Sequence, residues 1–200
     1  MRFSLRVFSS LLLTIAAVST TSLVAQSAPA ADTPLPAEVA LDYTYMRSNA
    51  PPSGCGCFML NGGSATIDWP VKPKHFALVA DLTITTASNI DSTNLDLALG
   101  IFTVGARYRL PTGHSQIQPF VQVMAGGAHA AGSLTNQPNP AYFNASLAFA
   151  GQAGGGVDIR VNRRFSWRLV DADYLATTFD NGSTNHQNNM RLSSGLVIHF

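Results

Sequence analysis

Lysine and glutamate are almost missing from this sequence. Its 200 residues hold two lysines, Lys72 and Lys74, and one glutamate, Glu38. Charged residues make up 12%, about half the usual share for a soluble domain. The formal net charge is +1, so no strong field points to nucleic acid as a partner. Cysteine is confined to Cys55 and Cys57, which cannot build a disulfide framework. Beyond the first thirty residues no apolar run approaches the ~18 residues of a spanning helix. The nearest rival, residues 97–110, is broken by Arg107 and Arg109. What remains for such a chain is strand.

The N-terminus reads as an export signal. Arg2 and Arg6 precede the apolar stretch "SLLLTIAAVSTTSLVA", and small residues follow at Ala25, Ala28 and Ala30. This predicts a signal peptide over 1–25, with cleavage after Ala25 or as late as Ala30. An anchoring helix is the weaker reading, because the run is short and ends in Ser and Thr. Residues 31–37 read as a linker, and 38–200 as one domain.

That domain alternates with a period of two. Val39, Leu41, Tyr43 and Tyr45 share one face of a first strand, with Asp42 opposite. Strands follow over 63–69, 75–85, 97–110, 116–129, 146–160, 165–179 and 190–200. The seventh breaks parity: Trp167 and Leu169 fall in with Asp171 and Asp173, while Arg168 opposes them. A bulge near Val170 restores the alternation, since one extra residue exchanges the faces. Polar loops are expected at 47–61, 86–96, 133–144 and 178–188, with short turns between them. An all-β, eight-stranded antiparallel up-and-down transmembrane β-barrel predicts this rhythm.

The polar parity needs an environment. It carries Asp42, Asp68, Asp81, Arg107, Arg109, Gln118, Gln122, Gln152, Asp158 and Arg191. Arginine paired with aspartate suits an enclosed network, because the guanidinium fork satisfies carboxylates bidentately. Eight strands enclose a space that side chains can fill. The reading is therefore a polar, packed lumen with lipid on the apolar face. A soluble lipocalin-like ligand carrier would reverse the faces, and its outer wall would need the missing Lys and Glu. Aromatic residues near strand ends, among them Tyr43, Tyr45, Trp69, Phe76, Tyr108, Phe165, Trp167, Phe179 and Phe200, are expected to form interface girdles.

On these residues the chain resembles small outer-membrane β-barrel proteins, similar to the N-terminal barrel of the OmpA-like porin family. The features that carry the resemblance are "DYTYMR" in the first strand, "GGGVDIRVNRRFSWRLVDADYL" (154–175) and the last strand ending on Phe200. It covers roughly residues 38–200. Many relatives continue into a peptidoglycan-binding domain where this chain stops. The resemblance implies a bacterial outer-membrane location, contact with outer-membrane lipid, and recognition by the barrel-assembly machinery of a terminal signal matched here by Leu196, Ile198 and Phe200. It further implies roles in membrane integrity, adhesion or minor solute passage.

Convergent catalytic chemistry is not legible. Asp180, Ser183 and His186 share the last loop, yet such residues are what a solvated loop ordinarily contains. "GQAGGG" (151–156) lacks the GK[ST] ending of a phosphate loop. Cys55 and Cys57 leave three readings open: a strained disulfide, free or oxidised thiols, or two ligands of a metal. Neither an enzyme, nor a cofactor, nor a metal centre is expected. The leading expectation is a monomeric structural barrel. A loop-borne adhesin or receptor with an unknown extracellular ligand, and a narrow passive channel, are the alternatives.

Overall fold

The computed structural model describes residues 37–49, 57–90, 95–113, 116–131, 147–179 and 186–200. Eight strands make it up: β1 (Glu38–Asn49), β2 (Cys57–Val71), β3 (Phe76–Ile90), β4 (Leu95–Arg109), β5 (Ile117–Ala131), β6 (Leu147–Arg160), β7 (Phe165–Thr177) and β8 (Gln187–His199). Each pairs antiparallel with the next, and β1 pairs with β8 to close the barrel. The seam runs from Glu38↔His199 to Ser48↔Asn189, and Phe200 donates its backbone N–H to the Ala37 carbonyl at 3.0 Å. Closure leaves no ladder edge, which is what strands need to cross lipid. Among the described residues no helix is long and apolar enough to cross a membrane.

The alternation of the sequence becomes two walls. Leu41, Tyr43, Ile67, Trp69, Leu78, Phe102, Val104, Val121 and Val123 face outward and are exposed. Asp42, Thr44, Asp68, Asp81, Thr83, Thr103, Arg107 and Gln122 face inward and are buried. On β3 the outer run Phe76 to Ile84 gives way to exposed Thr86 and Ser88; on β1 it ends at Arg47, and on β4 at Asp96. The apolar belt so bounded suits the ~25 Å band of an outer-membrane barrel.

Three expectations from the sequence change. The expected loop at 47–61 is mostly strand, because the β1–β2 ladder continues through Met46↔Leu60, Arg47↔Met59 and Ser48↔Phe58. The expected loop at 86–96 shrinks to 91–94, since β3 continues to Ile90 and β4 starts at Leu95. Polar outward residues there mark a ladder leaving the apolar belt, not its end. The loop at 178–188 likewise yields Gln187 and Asn188 to β8. The long-short alternation therefore weakens at β3–β4.

β7 contains the bulge. Leu169 and Val170 together stand opposite Ser194, between the pairs Arg168↔Gly195 and Asp171↔Ser193. Both apolar residues point outward, so Arg168 and Asp171 both point in. Ser194 Oγ donates to the Arg168 carbonyl at 2.9 Å and pins the kink.

Candidate functional site: the filled lumen

The lumen has two tiers. The one nearer the short turns is ionic, and its charges form a branched chain. Arg109 Nη2 lies 2.6 Å from Glu38 and 3.0 Å from Asp68. Arg107 Nη1 reaches Asp68 at 2.6 Å, while its Nε and Nη2 donate to Gln122 Oε1 at 3.0 and 2.6 Å. That fixes the Gln122 amide with its nitrogen towards Asp171 and Asp173, to which it donates at 3.1 and 2.9 Å. Gln152 Nε2 adds a bond to Asp173 at 2.7 Å. Arg191 joins Asp173 (2.9 Å) to Asp81 (2.8 Å), and Asp81 also accepts from Thr66 and Thr83.

Arg168 holds Asp158 with two nitrogens, at 3.0 and 3.3 Å, and Asp42 with the third at 3.2 Å. Phe120 is the apolar member of this tier. The Arg107 and Arg168 guanidiniums stand 4.0 and 5.1 Å from its ring centroid, so two fixed cations share one aromatic face system. Glycines make room. A Cβ on Gly154 would collide with Asp173, and one on Gly156 with Phe120 and Asp171. The run "GGG" thus lets β6 lie close beneath the charged side chains of its neighbours.

The ten residues of the polar parity all lie on the inner wall, with Gln118 half-buried near the turn rim. Asp42, Asp68, Asp81, Arg107, Gln122, Gln152, Asp158 and Arg191 are buried, and Arg109 is part-buried. Sequence reasoning missed Glu38, Arg168, Asp171, Asp173 and His199. Arg168, Asp171 and Asp173 share the inner face once the extra residue near Val170 is counted, a consequence the sequence reading did not carry into the network. Glu38 and His199 are register partners on the first and last strands, a pairing that only closure creates.

The second tier, towards the long loops, is mainly apolar, with Thr85, Thr177, Gln187 and Asn189 buried among its hydrophobic side chains. Met46, Phe58, Leu60, Leu97, Leu99, Ile101, Leu175 and Phe179 pack there with alanines of β3, β5 and β6. Phe179 therefore belongs to the interior and not to the aromatic girdle expected for it. Between the tiers, Thr44 Oγ1 bonds Ser64 and Ser193 at 3.0 Å each. Ser48 donates to Asn189 higher up.

Chemistry at the turn-side mouth has one further feature. Ser166 Oγ lies 2.7 Å from His199 Nε2, and His199 Nδ1 lies 3.3 Å from Glu38 Oε1. This is the order of a nucleophile, base and orienting carboxylate. Ser166 is buried, only 1% exposed. The cluster ties β7, β8 and β1 together at the seam. Among the described residues no group of three or more His, Cys, Asp or Glu could hold a metal ion. Cys55, Asp180 and Ser183 lie outside the described residues, as does the stretch 133–144.

A closed eight-stranded barrel with an apolar outer wall and an ionic, side-chain-filled interior is the architecture of the small bacterial outer-membrane barrels. The solved structure of Neisserial surface protein A superposes with a TM-score of 0.60 at 16% identity, over 82% of this chain and 97% of that one. Ail, the attachment invasion locus protein of Yersinia pestis, gives 0.55 at 14% identity, over 84% of this chain and all of that one, 100%. At such identities the likeness is one of fold. No family model matches the sequence, and no curated protein matches it.

Proposed function

We propose that the protein is a structural barrel of the bacterial outer membrane, closed to solutes, with its longer loops presented outside. The observation that carries this is the filled cross-section. Three fully buried arginines, Arg107, Arg168 and Arg191, lock the ionic tier, and Met46, Leu60, Ile101, Leu175 and Phe179 occupy the apolar one. An ion would have to displace paired charges and then pass a tightly filled, mainly apolar layer, and desolvation opposes both steps. Planar-bilayer recording tests the closure. The protein should insert without steady unitary conductance; discrete, reproducible channel openings would replace this reading with that of a narrow channel. In this proposal Leu196, Ile198 and Phe200 form the recognition strand for the assembly machinery. Leu196 and Phe200 are exposed on the outer wall, where such a strand can be read before closure.

A loop-borne binding role is the second reading. The connection over 132–146 is the longest between strands, and the barrel of Ail has also been solved in complex with the heparin analogue sucrose octasulfate. Shortening 132–146 should leave heat-modifiable migration intact and abolish attachment to host cells or glycans. Unaltered attachment would leave the structural role alone.

A further inference from the structure

The charges outside the lumen are unevenly placed. At the turn rim, Lys72, Lys74, Arg160, Arg163 and Arg164 are exposed, and among the described residues no acidic side chain is exposed beside them. Glu38, Asp68 and Asp158, the carboxylates nearest in sequence register, are all buried in the lumen. The one exposed acidic side chain among the described residues, Asp96, sits at the opposite rim. Both lysines of the chain lie in the β2–β3 turn, residues 72–75.

That turn opens onto a groove in the outer wall. Trp69 and Leu78 flank one side and Val104 and Val123 the other, over a low floor that includes Ala80 and Ala106; its volume is about 660 Å³. The floor is low because each ladder pair sets one alanine against a larger residue, Leu78↔Ala106 and Ala80↔Val104, so that Ala80 and Ala106 lie diagonally beside one another. Between groove and turn stand Phe76 and Tyr108, ring centroids 4.9 Å apart, with His75 edge-on to Tyr108 at 6.0 Å. Aromatic rings of this kind settle at the level of lipid headgroups.

Apolar groove, aromatic step and cationic turn thus follow one another along the axis in the order tail, glycerol, phosphate. We propose that this surface binds an anionic glycerophospholipid of the leaflet on the turn side, with an acyl chain against Ala80 and Ala106 and its phosphate at Lys74. The choice of an anionic over a zwitterionic lipid rests on the charge pattern, with Lys74, Arg160, Arg163 and Arg164 exposed and, among the described residues, no acidic side chain exposed at that rim. The proposal depends on the membrane-spanning reading, and the test separates the two.

Trp69 and Trp167 are the only tryptophans, so Trp167→Phe leaves one reporter inside the groove. Full-length W167F is reconstituted in phosphatidylcholine vesicles containing a minor fraction of tail-brominated phosphatidylglycerol, or the same fraction of brominated phosphatidylcholine. Bromines quench a neighbouring indole. The anionic lipid should be enriched beside Trp69 about fivefold, the order expected for one lysine near a charged surface. Lys74→Gln should reduce the enrichment of the anionic lipid beside Trp69 severalfold, and raising salt should act in the same direction. Ala106→Phe, which fills the groove, should weaken quenching by the anionic lipid although Lys74 remains. Equal quenching by both lipids in W167F overturns the proposal while preserving the barrel in the membrane. Absence of quenching by either overturns the membrane reading and the proposal together.

Discussion

Arg107 shows how one side chain can be committed to its surroundings in every direction. Each of its three nitrogens donates to Asp68 or Gln122, and its π surface covers Phe120. Arg107→Leu leaves Asp68 with a single arginine and frees the Gln122 carbonyl inside the lumen. The expected loss is about 3–5 kcal/mol, the usual cost of removing one member of a buried ion pair. Urea unfolding in detergent micelles, followed by the change in gel migration, measures it; an unchanged midpoint contradicts the role given to this residue. Arg107→Lys keeps the charge but not the fork, and should recover only part of the loss. Gly154→Ala is expected to destabilise as well, because its methyl group meets Asp173 and the β7 backbone. These costs could not be read from the sequence. Arg107 is legible as an inward cation by parity alone, whereas its partners come from β2 and β5, and parity does not rank inward residues by height.

At the scale of the element, β7 separates pattern from register. Deleting Leu169 removes one of the two outward residues opposite Ser194. Arg168 and Asp171 then still point inward, and the strand becomes regular. Deleting Ala172 instead turns Asp173 towards lipid and takes a carboxylate from both Arg191 and Gln152. The first variant should assemble to a heat-modifiable barrel, and the second should accumulate unfolded. Equal behaviour of the two would contradict the bulge as drawn. The same strand shows where sequence reading succeeds. A mismatch of Trp167 and Leu169 against Asp171 and Asp173 was enough to locate an extra residue, because two faces with opposite solvents leave little freedom of register. Strand ends were less legible. Thr86, Ser88 and Asn61 are polar because the wall emerges from the apolar belt there, while the hydrogen-bonded ladder continues past them.

For the whole molecule, the faces were legible from composition and the stratification was not. The near absence of Lys and Glu already implied that neither wall meets bulk water along most of its height. Arginine and aspartate on one parity implied an enclosed network. The apolar tier escaped notice because Met46, Leu60, Leu97 and Leu99 share the inward parity with Asp42, Asp68 and Arg107, and an apolar residue there looks like an error of phase. Everything depends on lipid covering the outer wall. Spin labels placed singly at the outward positions Phe102, Val104, Ala106 and Val123 in the cysteine-free chain, reconstituted in vesicles, test this most directly. Oxygen, which concentrates in lipid, should broaden the signal at 104 and 106, while a water-soluble nickel chelate should reach neither. Strong nickel accessibility at 104 and 106 would show a wall that faces water, and would contradict the membrane barrel.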